Sequence, residues 1–408
     1  MLSTFDARNQ LLSSVHSVGV ERITIHQALD RVLAQDLIAP DPSPRFDNSS
    51  MDGFAVHSQD IKGATKNTPV ELRVAKNIPA GSNTTIFIKS NETARIMTGA
   101  PMPHGADAVL PVEDTDQDFS NGGELPEMIR AFRPLDAGAY VRVQGEDFAA
   151  GQALFSKGSV VSPQVLGLIA HLGYQEIQVH RRLRVAVFSS GNELVQPGQP
   201  IAEGQIRDTN TFTISALLES MHVEVIPLGI AKDDLEDVQD RLDQALRHNV
   251  DLIISTAGVS VGVYDFVRTA VEQHGQIDAW RVNMRPGKPL AFGSYKETPF
   301  VGLPGNPVSS FVGFEVFIRP LIQHMAGNQR WRRLELTAVL AEDIHSDGRE
   351  SYLRARLGRH ENGPVATLTG HQGSGNLYSL SLADALIIIP AGVEFLKKGS
   401  QVQAWPLT

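Results

Sequence analysis

The run Arg285-Pro286-Gly287-Lys288-Pro289 holds two cations on a stiff turn, and three other stretches carry groups that could work beside them. Gly258, Ser260 and Gly262 lie in TAGVSVGVYDFVR (256–268), whose acidic group is Asp265. Glu193 follows Gly191 and Asn192, and Asp208 opens Asp208-Thr209-Asn210. Pro304, Asn306 and Ser309 belong to FVGLPGNPVSS (300–310). Glycine-bearing backbone, a helix N-terminus and two cations make an anion pocket. The carboxylates of Glu193, Asp208 and Asp265 are hard oxygen donors of the kind that hold Mg2+ beside phosphate. Each residue also has an ordinary alternative. Lys288 as a solvated lysine, Asp265 as the N-cap of a following helix, and Glu193 as half of a surface ion pair all fit the spacing. None of the thirteen histidines shows HExxH-like spacing, so none is assigned as a metal ligand. The chain has no cysteine, which excludes disulfides, thiolate metal sites and cysteine nucleophiles.

These loops need rigid elements behind them. LRVAVFSS (183–190), VDLIIS (250–255) and FVGL (300–303) are short apolar runs that read as buried strands, and each leads into one of the polar loops. In an open α/β sheet, ligands sit outside the carboxyl ends of the strands. Ile214, Leu217, Leu218 and Met221 form one buried helix face, with Thr209 or Asn210 as its cap. Leu235, Val238, Leu242 and Ala245 form another over 234–248. Strands alternating with such helices predict a mostly parallel sheet wrapped on both sides. A helix over 307–325 should kink or end at Pro320.

Upstream, residues 1–38 read as helical, with Thr24 and Gln27 as a capping box. Pro40, Pro42 and Pro44 then force an extended link. VELRVA (70–75), TTIFI (84–88), ARIM (94–97) and AVLPV (108–112), separated by turn residues, predict a small β-rich domain. Val165–Leu172 is an apolar helix candidate that returns toward the N-terminal segment. From 329 onward LELTAVLA, YLRARLG, VATLTG, ALIIIPA and QVQAWPL predict a β-barrel or sandwich.

Of the 408 residues, 42% are hydrophobic and 20% charged, an ordinary globular composition with ample core. A formal net charge of −10 argues against a nucleic-acid partner, so any anionic ligand must be drawn by local cations. No apolar run approaches membrane-spanning length and no basic-then-apolar leader opens the chain, which points to a cytoplasmic protein.

SGNEL (190–194), DTN (208–210), AGVSVGVYD (257–265), RPGKP (285–289) and GLPGNPVS (302–309), in this order, resemble the molybdenum-cofactor biosynthesis domain. RFDNSSMDGFAV (45–56), MTGAPMPHGADAVLPVEDT (97–115) and HQGSGNLYSLSLADALIIIP (371–390) extend the resemblance over the whole chain, to the molybdopterin molybdotransferase family. The resemblance implies insertion of molybdate into adenylylated molybdopterin with release of AMP, assisted by Mg2+. It adds Asp52, Thr98, Arg354 and Ser374 to the site. On spacing alone Asp52, followed by Gly53, would only bond its own backbone turn. Asp52, Glu193, Asp265 and Lys288 become the catalytic candidates. Thr98, Asp208, Gly258, Ser260, Gly262, Arg285, Pro304, Asn306, Ser309, Arg354 and Ser374 become the substrate-binding ones, with Glu193, Asp208 and Asp265 toward the metal.

The family also implies a homodimer with a shared active site and a molybdopterin adenylyltransferase as upstream partner. An adenylyltransferase-like activity and a non-enzymatic scaffold of the gephyrin type are the alternatives. Four positions depart from the family pattern: Asn192 for a common aspartate, Ala257 for glycine, Arg285 for a frequent lysine, and Ala383-Asp384-Ala385 for Ala-Asn-Gly. The expected architecture is α/β and multidomain. A discontinuous linker domain (1–44 and 142–177) carries an inserted β-rich domain (45–141). A doubly wound α/β domain (178–328) and a C-terminal β-barrel (329–408) follow.

Overall fold

The computed structural model describes residues 1–83, 85–119, 124–257, 266–361 and 363–407. Its contacts divide the chain into two compact units. One comprises Met1–Gln35, Lys157–Gly167 and Gln175–Thr408, and the other Asp36–Ser156 and Leu168–Tyr174.

The first unit is built on a six-stranded sheet. Its elements are β1 (Arg184–Ser190), α1 (Asn210–Glu219), β2 (Glu224–Ala231), α2 (Leu235–Arg247), β3 (Leu252–Thr256), α3 (Phe266–His274), β4 (Gly275–Arg281), β5 (Pro289–Tyr295) and β6 (Thr298–Leu303). The strand order is β2-β1-β3-β6-β5-β4. The first four run parallel, and β5 and β4 close the edge as an antiparallel hairpin. Alternation along β1 explains the two-sided burial. Val185 and Val187 enter one core with Ile214 and Leu218 of α1, while Ala186 and Phe188 enter the other with Val238 and Leu242 of α2. The chain leaves β1 for β2 on one side and returns to β3 on the other. The strand order therefore reverses between β1 and β3, and the carboxyl ends of strands at such a reversal are where open α/β sheets form their ligand crevice.

After β6 the chain turns into α4 (Pro307–Gly313), a π-turn (Phe314–Ile318) and α5 (Arg319–Met325). The helix neither ends nor breaks at Pro320. The wider π-turn precedes it, and Pro320 occupies the start of the renewed α segment, where its missing N–H costs least. The longer strands that follow are β7 (Leu336–Leu340), β8 (Glu350–His360), β9 (Gly363–Leu368), β10 (Ala385–Ile389) and β11 (Gln401–Pro406), with the short helix α6 (Leu377–Ser381) between β9 and β10. They pair as β8-β9-β7-β11-β10, and β10 returns to β8, which closes a five-stranded barrel. Met284–Arg285 adds parallel to Glu350–Ser351 at the start of β8. Tyr352, Leu386 and Trp405 of the barrel share one apolar cluster with the sheet.

The N-terminal expectation of helix over 1–38 holds only for Thr4–Ser13, whose Ala7 and Leu11 join that cluster. Val20–Thr24 is instead a strand, paired antiparallel with Glu176–His180. Thr24 opens a three-residue 3-10 turn without a side-chain cap, so tertiary pairing overrides the capping-box signal. The helices expected at 234–248 and 165–172 are present as Leu235–Arg247 and Pro163–His171. Asp234 caps the former through Glu236 N and Asp237 N.

In the second unit, Ala108–Pro111, Gly53–Val56, Glu92–Ile96, Val70–Ile78 and Met128–Ala131 form one sheet in that order. The described part of TTIFI, residues 85–88, does not become a strand. There Phe87 makes a single bridge to His104. Among the described residues, no helix is long and apolar enough to cross a membrane.

Candidate active site

Two clusters of predicted residues assemble in the first unit, both built by the strand ends and turns that precede them. The first lies at the crevice between β1 and β3. Asp208 is 2% exposed, and its Oδ1 accepts from Thr211 N at 3.1 Å and Ser189 Oγ at 3.1 Å. Asp208 thus provides the helix cap expected from Thr209 or Asn210; Thr209 stands at the cap position and makes no side-chain cap bond. Ser189 Oγ also lies 2.8 Å from Thr211 Oγ1 and 2.7 Å from Thr256 Oγ1. The second carboxylate oxygen, Asp208 Oδ2, is buried and has no hydrogen-bond partner among the described residues. An unmet buried acceptor is costly, more so on a charged group, and marks a place for a ligand. Asn210 Nδ2 donates to Gly305 O at 2.7 Å, and Ala257 N donates to Leu303 O at 3.0 Å. These bonds draw the 304–306 turn into the crevice. Pro304 is buried there, and Asn306 begins α4 with its side chain free of any capping bond.

The loop after β1 contributes Glu193. Gly191, at φ +149°, leaves room for that carboxylate, since a Cβ there would lie 2.5 Å from Glu193 Oε2. Leu194–Val195 pairs parallel with Ile206–Arg207. That register sets Glu193 at one end of the ribbon and Asp208 at the other, about 10 Å apart along the strands. Asn192 N donates to Asp233 Oδ2 at 3.1 Å, and Asp233 N donates back to Asn192 Oδ1 at 3.2 Å. Asp233, absent from the sequence-based set, therefore brings a further exposed carboxylate to the Glu193 loop.

The second cluster spans the sheet and the barrel. Residues 282–288 form the loop of the β4–β5 hairpin. Pairing of Arg285 with Ser351 pins that loop to β8, the strand that carries Arg354. Gly287 has φ +93°, and a Cβ on it would come 3.2 Å from Ser309 O, so the turn can rest on the first turn of α4 only with glycine there. Ser309 is 4% exposed. Val308 N donates to Ser374 O at 3.0 Å, which brings the 371–376 loop to the same helix end. Lys288 is half-buried and has no carboxylate partner among the described residues. Arg285 is 3.9 Å from Asp347 and stays partly exposed.

Arg354 is the most unusual charge in the protein. It is wholly buried, yet among the described residues only neutral groups hold it: Nε donates to Ser379 Oγ at 3.0 Å and Nη2 to His371 O at 2.9 Å. Gln372 clamps its backbone on both sides, taking Arg354 N at 2.9 Å and giving to Arg354 O at 3.2 Å. Burial without a compensating carboxylate pulls its pKa down to about 10. It remains a cation at neutral pH, preorganised for an anion.

In the second unit, Asp52 does not bond its own turn. Its Oδ1 accepts from Thr98 N at 2.6 Å and Thr98 Oγ1 at 2.8 Å, joining the two signature loops. Gly258, Ser260, Gly262 and Asp265 lie outside the described residues. Among the described residues no group of three or more His, Asp or Glu forms a cation cage. The fit to Mg2+ is thus of the sparse kind, one or two carboxylates with the remaining positions left to phosphate and water, and the unpartnered Asp208 Oδ2 suits it. The sequence reading missed Ser189, Thr211, Thr256, Asp233, Ser379 and Gln372. A signal existed for Ser189 and Thr256, hydroxyls that end otherwise apolar strands.

Three family models match the chain in succession. Residues 2–173 match "MoeA N-terminal region (domain I and II)", 186–324 match "Probable molybdopterin binding domain", and 337–407 match "MoeA C-terminal region (domain IV)". The chain is 40% identical over 394 residues to molybdopterin molybdenumtransferase 2 of Mycobacterium tuberculosis, with 95% of each chain covered. It is 35% identical over 396 residues to the molybdopterin molybdenumtransferase of Haemophilus influenzae, covering 95% of this chain and 94% of that one. A crystal structure of a molybdopterin biosynthesis moeA protein from Pyrococcus horikoshii matches at a TM-score of 0.84 and 26% identity over the whole of both chains. The order of the motifs, the closed barrel after the α/β sheet and the full-length relatives agree, and the chain belongs to the molybdopterin molybdenumtransferase family.

Proposed function

We propose that this enzyme inserts molybdate into adenylylated molybdopterin and releases AMP. The observation that carries the reading is Arg354, a buried guanidinium with no carboxylate partner among the described residues, on the barrel strand to which the loop carrying the half-buried Lys288 is pinned. Two cations and hydroxyl donors suit a tetrahedral dianion. The crevice between β1 and β3 takes the adenylyl pyrophosphate, with the backbone loops around Gly258, Ser260 and Gly262 and the turn at Pro304 and Asn306 against the nucleotide. A divalent cation, when bound, would neutralise charge on the pyrophosphate; Asp208 would hold it, joined by one of the other two acidic candidates, Glu193 or Asp265, with phosphate and water in the remaining positions. Lys288 and Arg285 orient the anionic end of the substrate, while Asp52, kept rigid by Thr98, orients water or metal.

The four-domain division and the cytoplasmic location belong to the same proposal, as does an adenylyltransferase that hands over the substrate. So does a homodimer whose site is shared. In it Asp52 and Thr98 of one subunit face Lys288, Asp265 and Arg354 of the other. The supporting argument is that two signature loops lie in a unit apart from the pocket they serve, and symmetric dimers are the commonest oligomers.

Incubation with adenylylated molybdopterin, Mg2+ and molybdate should yield AMP; no AMP from a folded protein defeats the assignment. Mixing inactive Asp52→Ala subunits with inactive Lys288→Ala subunits tests the shared site. Random pairing restores one intact pocket in each mixed dimer, so activity should return to about a quarter of wild type. No return, with subunit exchange demonstrated, defeats the shared site alone.

A further inference from the structure

We propose that Ser189 is the positioning residue of the crevice. Its hydroxyl, fed by Thr211 and Thr256, locks the Asp208 carboxylate so that Oδ2 stays aimed at the cation that accompanies the nucleotide. The inference rests on the function proposed above and assigns roles to three hydroxyls outside that reading.

The proton count fixes the direction of the network. Ser189 Oγ has three neighbours within hydrogen-bond distance: Asp208 Oδ1 at 3.1 Å, Thr211 Oγ1 at 2.8 Å and Thr256 Oγ1 at 2.7 Å. It has one proton and two lone pairs. An ionised carboxylate only accepts, so the Ser189 proton goes to Asp208. Both lone pairs then accept from the threonine hydroxyls. Every bond is satisfied in this arrangement, and each donor polarises the next toward the carboxylate. Thr211 N supplies a second donor to the same oxygen, at 3.1 Å. Among the described residues Oδ1 therefore carries two bonds and Oδ2 none. A side chain fixed at one oxygen and bare at the other is built to present the bare one.

The location gives the network its purpose. Ser189 is 1% exposed and Thr256 0% exposed, and they are the neighbouring polar ends of β1 and β3, where the strand order reverses. Thr211 belongs to the first turn of α1. Two strands and a helix thus clamp one carboxylate at the crevice floor. Without the clamp, Asp208 keeps the Thr211 N bond but can swing, and a cation bound through one or two carboxylates is sensitive to that freedom.

The test uses Ser189→Ala, the isosteric Thr256→Val and the hydroxyl-retaining Thr256→Ser in the full-length protein. AMP is titrated calorimetrically with and without Mg2+, alongside thermal midpoints. In wild type, Mg2+ should tighten AMP binding. Ser189→Ala and Thr256→Val should lose about tenfold or more of that Mg2+-dependent gain while AMP binding without Mg2+ stays unchanged, and Thr256→Ser should restore it. Equal Mg2+-dependent binding in wild type and both deletion variants overturns the proposal, as does wild type that shows no Mg2+ effect. If Ser189→Ala does not fold, Thr256→Val decides. Absence of AMP release by the wild type with adenylylated molybdopterin would sink the proposed function and leave the nucleotide titration to judge the clamp.

Discussion

Replacing Arg354 with methionine should leave the fold as stable as before, or more so, while abolishing most of the response to oxyanion. Burial without a carboxylate lowers the guanidinium pKa to about 10. Each tenfold loss of proton affinity corresponds to about 1.4 kcal/mol, so holding this charge costs the fold up to about 3 kcal/mol. Methionine retains much of the stem volume and removes the charge. Against that gain, Ser379 Oγ and His371 O each lose one hydrogen bond, at about 1 kcal/mol apiece, while Thr369 Oγ1 stays beside the former and Asn376 Nδ2 still donates to the latter. The balance favours the variant by between zero and about 2 kcal/mol. The sign with pH follows from a folded pKa below the unfolded one. The penalty is complete below about pH 10 and fades as pH rises toward the unfolded value, so the stability difference is level through neutral pH and shrinks above about pH 10.

Function should move the other way. Losing a charged hydrogen bond to a bound dianion removes about 1.5–3 kcal/mol, or roughly ten- to a hundredfold in the molybdate concentration needed for half-maximal AMP release. Thermal unfolding with and without molybdate supplies a second readout, since a ligand that binds only the folded state raises the midpoint. Wild type should respond and Arg354→Met should not. A variant that unfolds well below wild type yet keeps its molybdate dependence would show that Arg354 is a structural residue, and the reasoning from its missing carboxylate would fail.

Lys288→Ala should fold normally and lower molybdate-dependent AMP release at least about tenfold, because no described carboxylate depends on it; normal turnover removes Lys288 from the site. Ala257 has φ +76°, a left-handed conformation that glycine adopts freely, so Ala257→Gly should raise stability by about 1 kcal/mol in a denaturation series. A loss of stability there would mean that the extra freedom of the unfolded glycine outweighs the relieved strain. Glu315 is the buried partner of both Arg319 and Arg333, so Glu315→Gln should destabilise by about 3–5 kcal/mol without touching substrate affinity in the protein that still folds. A thermal midpoint equal to wild type would contradict it.

What the sequence showed clearly was everything set by local periodicity. The apolar runs ending at Ser190, Ser255 and Leu303 fall on strands, the second running one residue further to Thr256, and the stripes of α1 and α2 are helices with the expected faces turned to the core. It failed where pairing across the chain decides. Val20–Thr24 gives up a plausible cap to join Glu176–His180, and TTIFI, strand-like in composition, lacks a partner beyond one bridge. The site shows the same split. Lys288 and Arg354 stand out by motif, but that one lies on a hairpin loop pinned beside the strand of the other appears only in the register of Arg285 with Ser351. That no described carboxylate lies beside Arg354 is likewise a fact of packing.

The departure at Asn192 can be followed to a physical end. Its side-chain oxygen accepts from Asp233 N, and its backbone N–H donates to Asp233 Oδ2. An aspartate at 192 would set one carboxylate against another in that reciprocal pair, a repulsion relieved only by a cation between them. Asparagine keeps the bonds and removes the need. The loop after β1 therefore holds its shape without metal, and the carboxylates left around it are Glu193, Asp233 and, at the far end of the ribbon, Asp208. With Glu193 and Asp208 about 10 Å apart along the strands, the two ends suit a cation drawn in with the nucleotide better than one resident beforehand. Asn192→Asp puts this to measurement. The variant should be less stable than wild type without divalent cations and should regain that stability when Mg2+ is added. An equal midpoint in both conditions would show that residue 192 has no part in the cation balance.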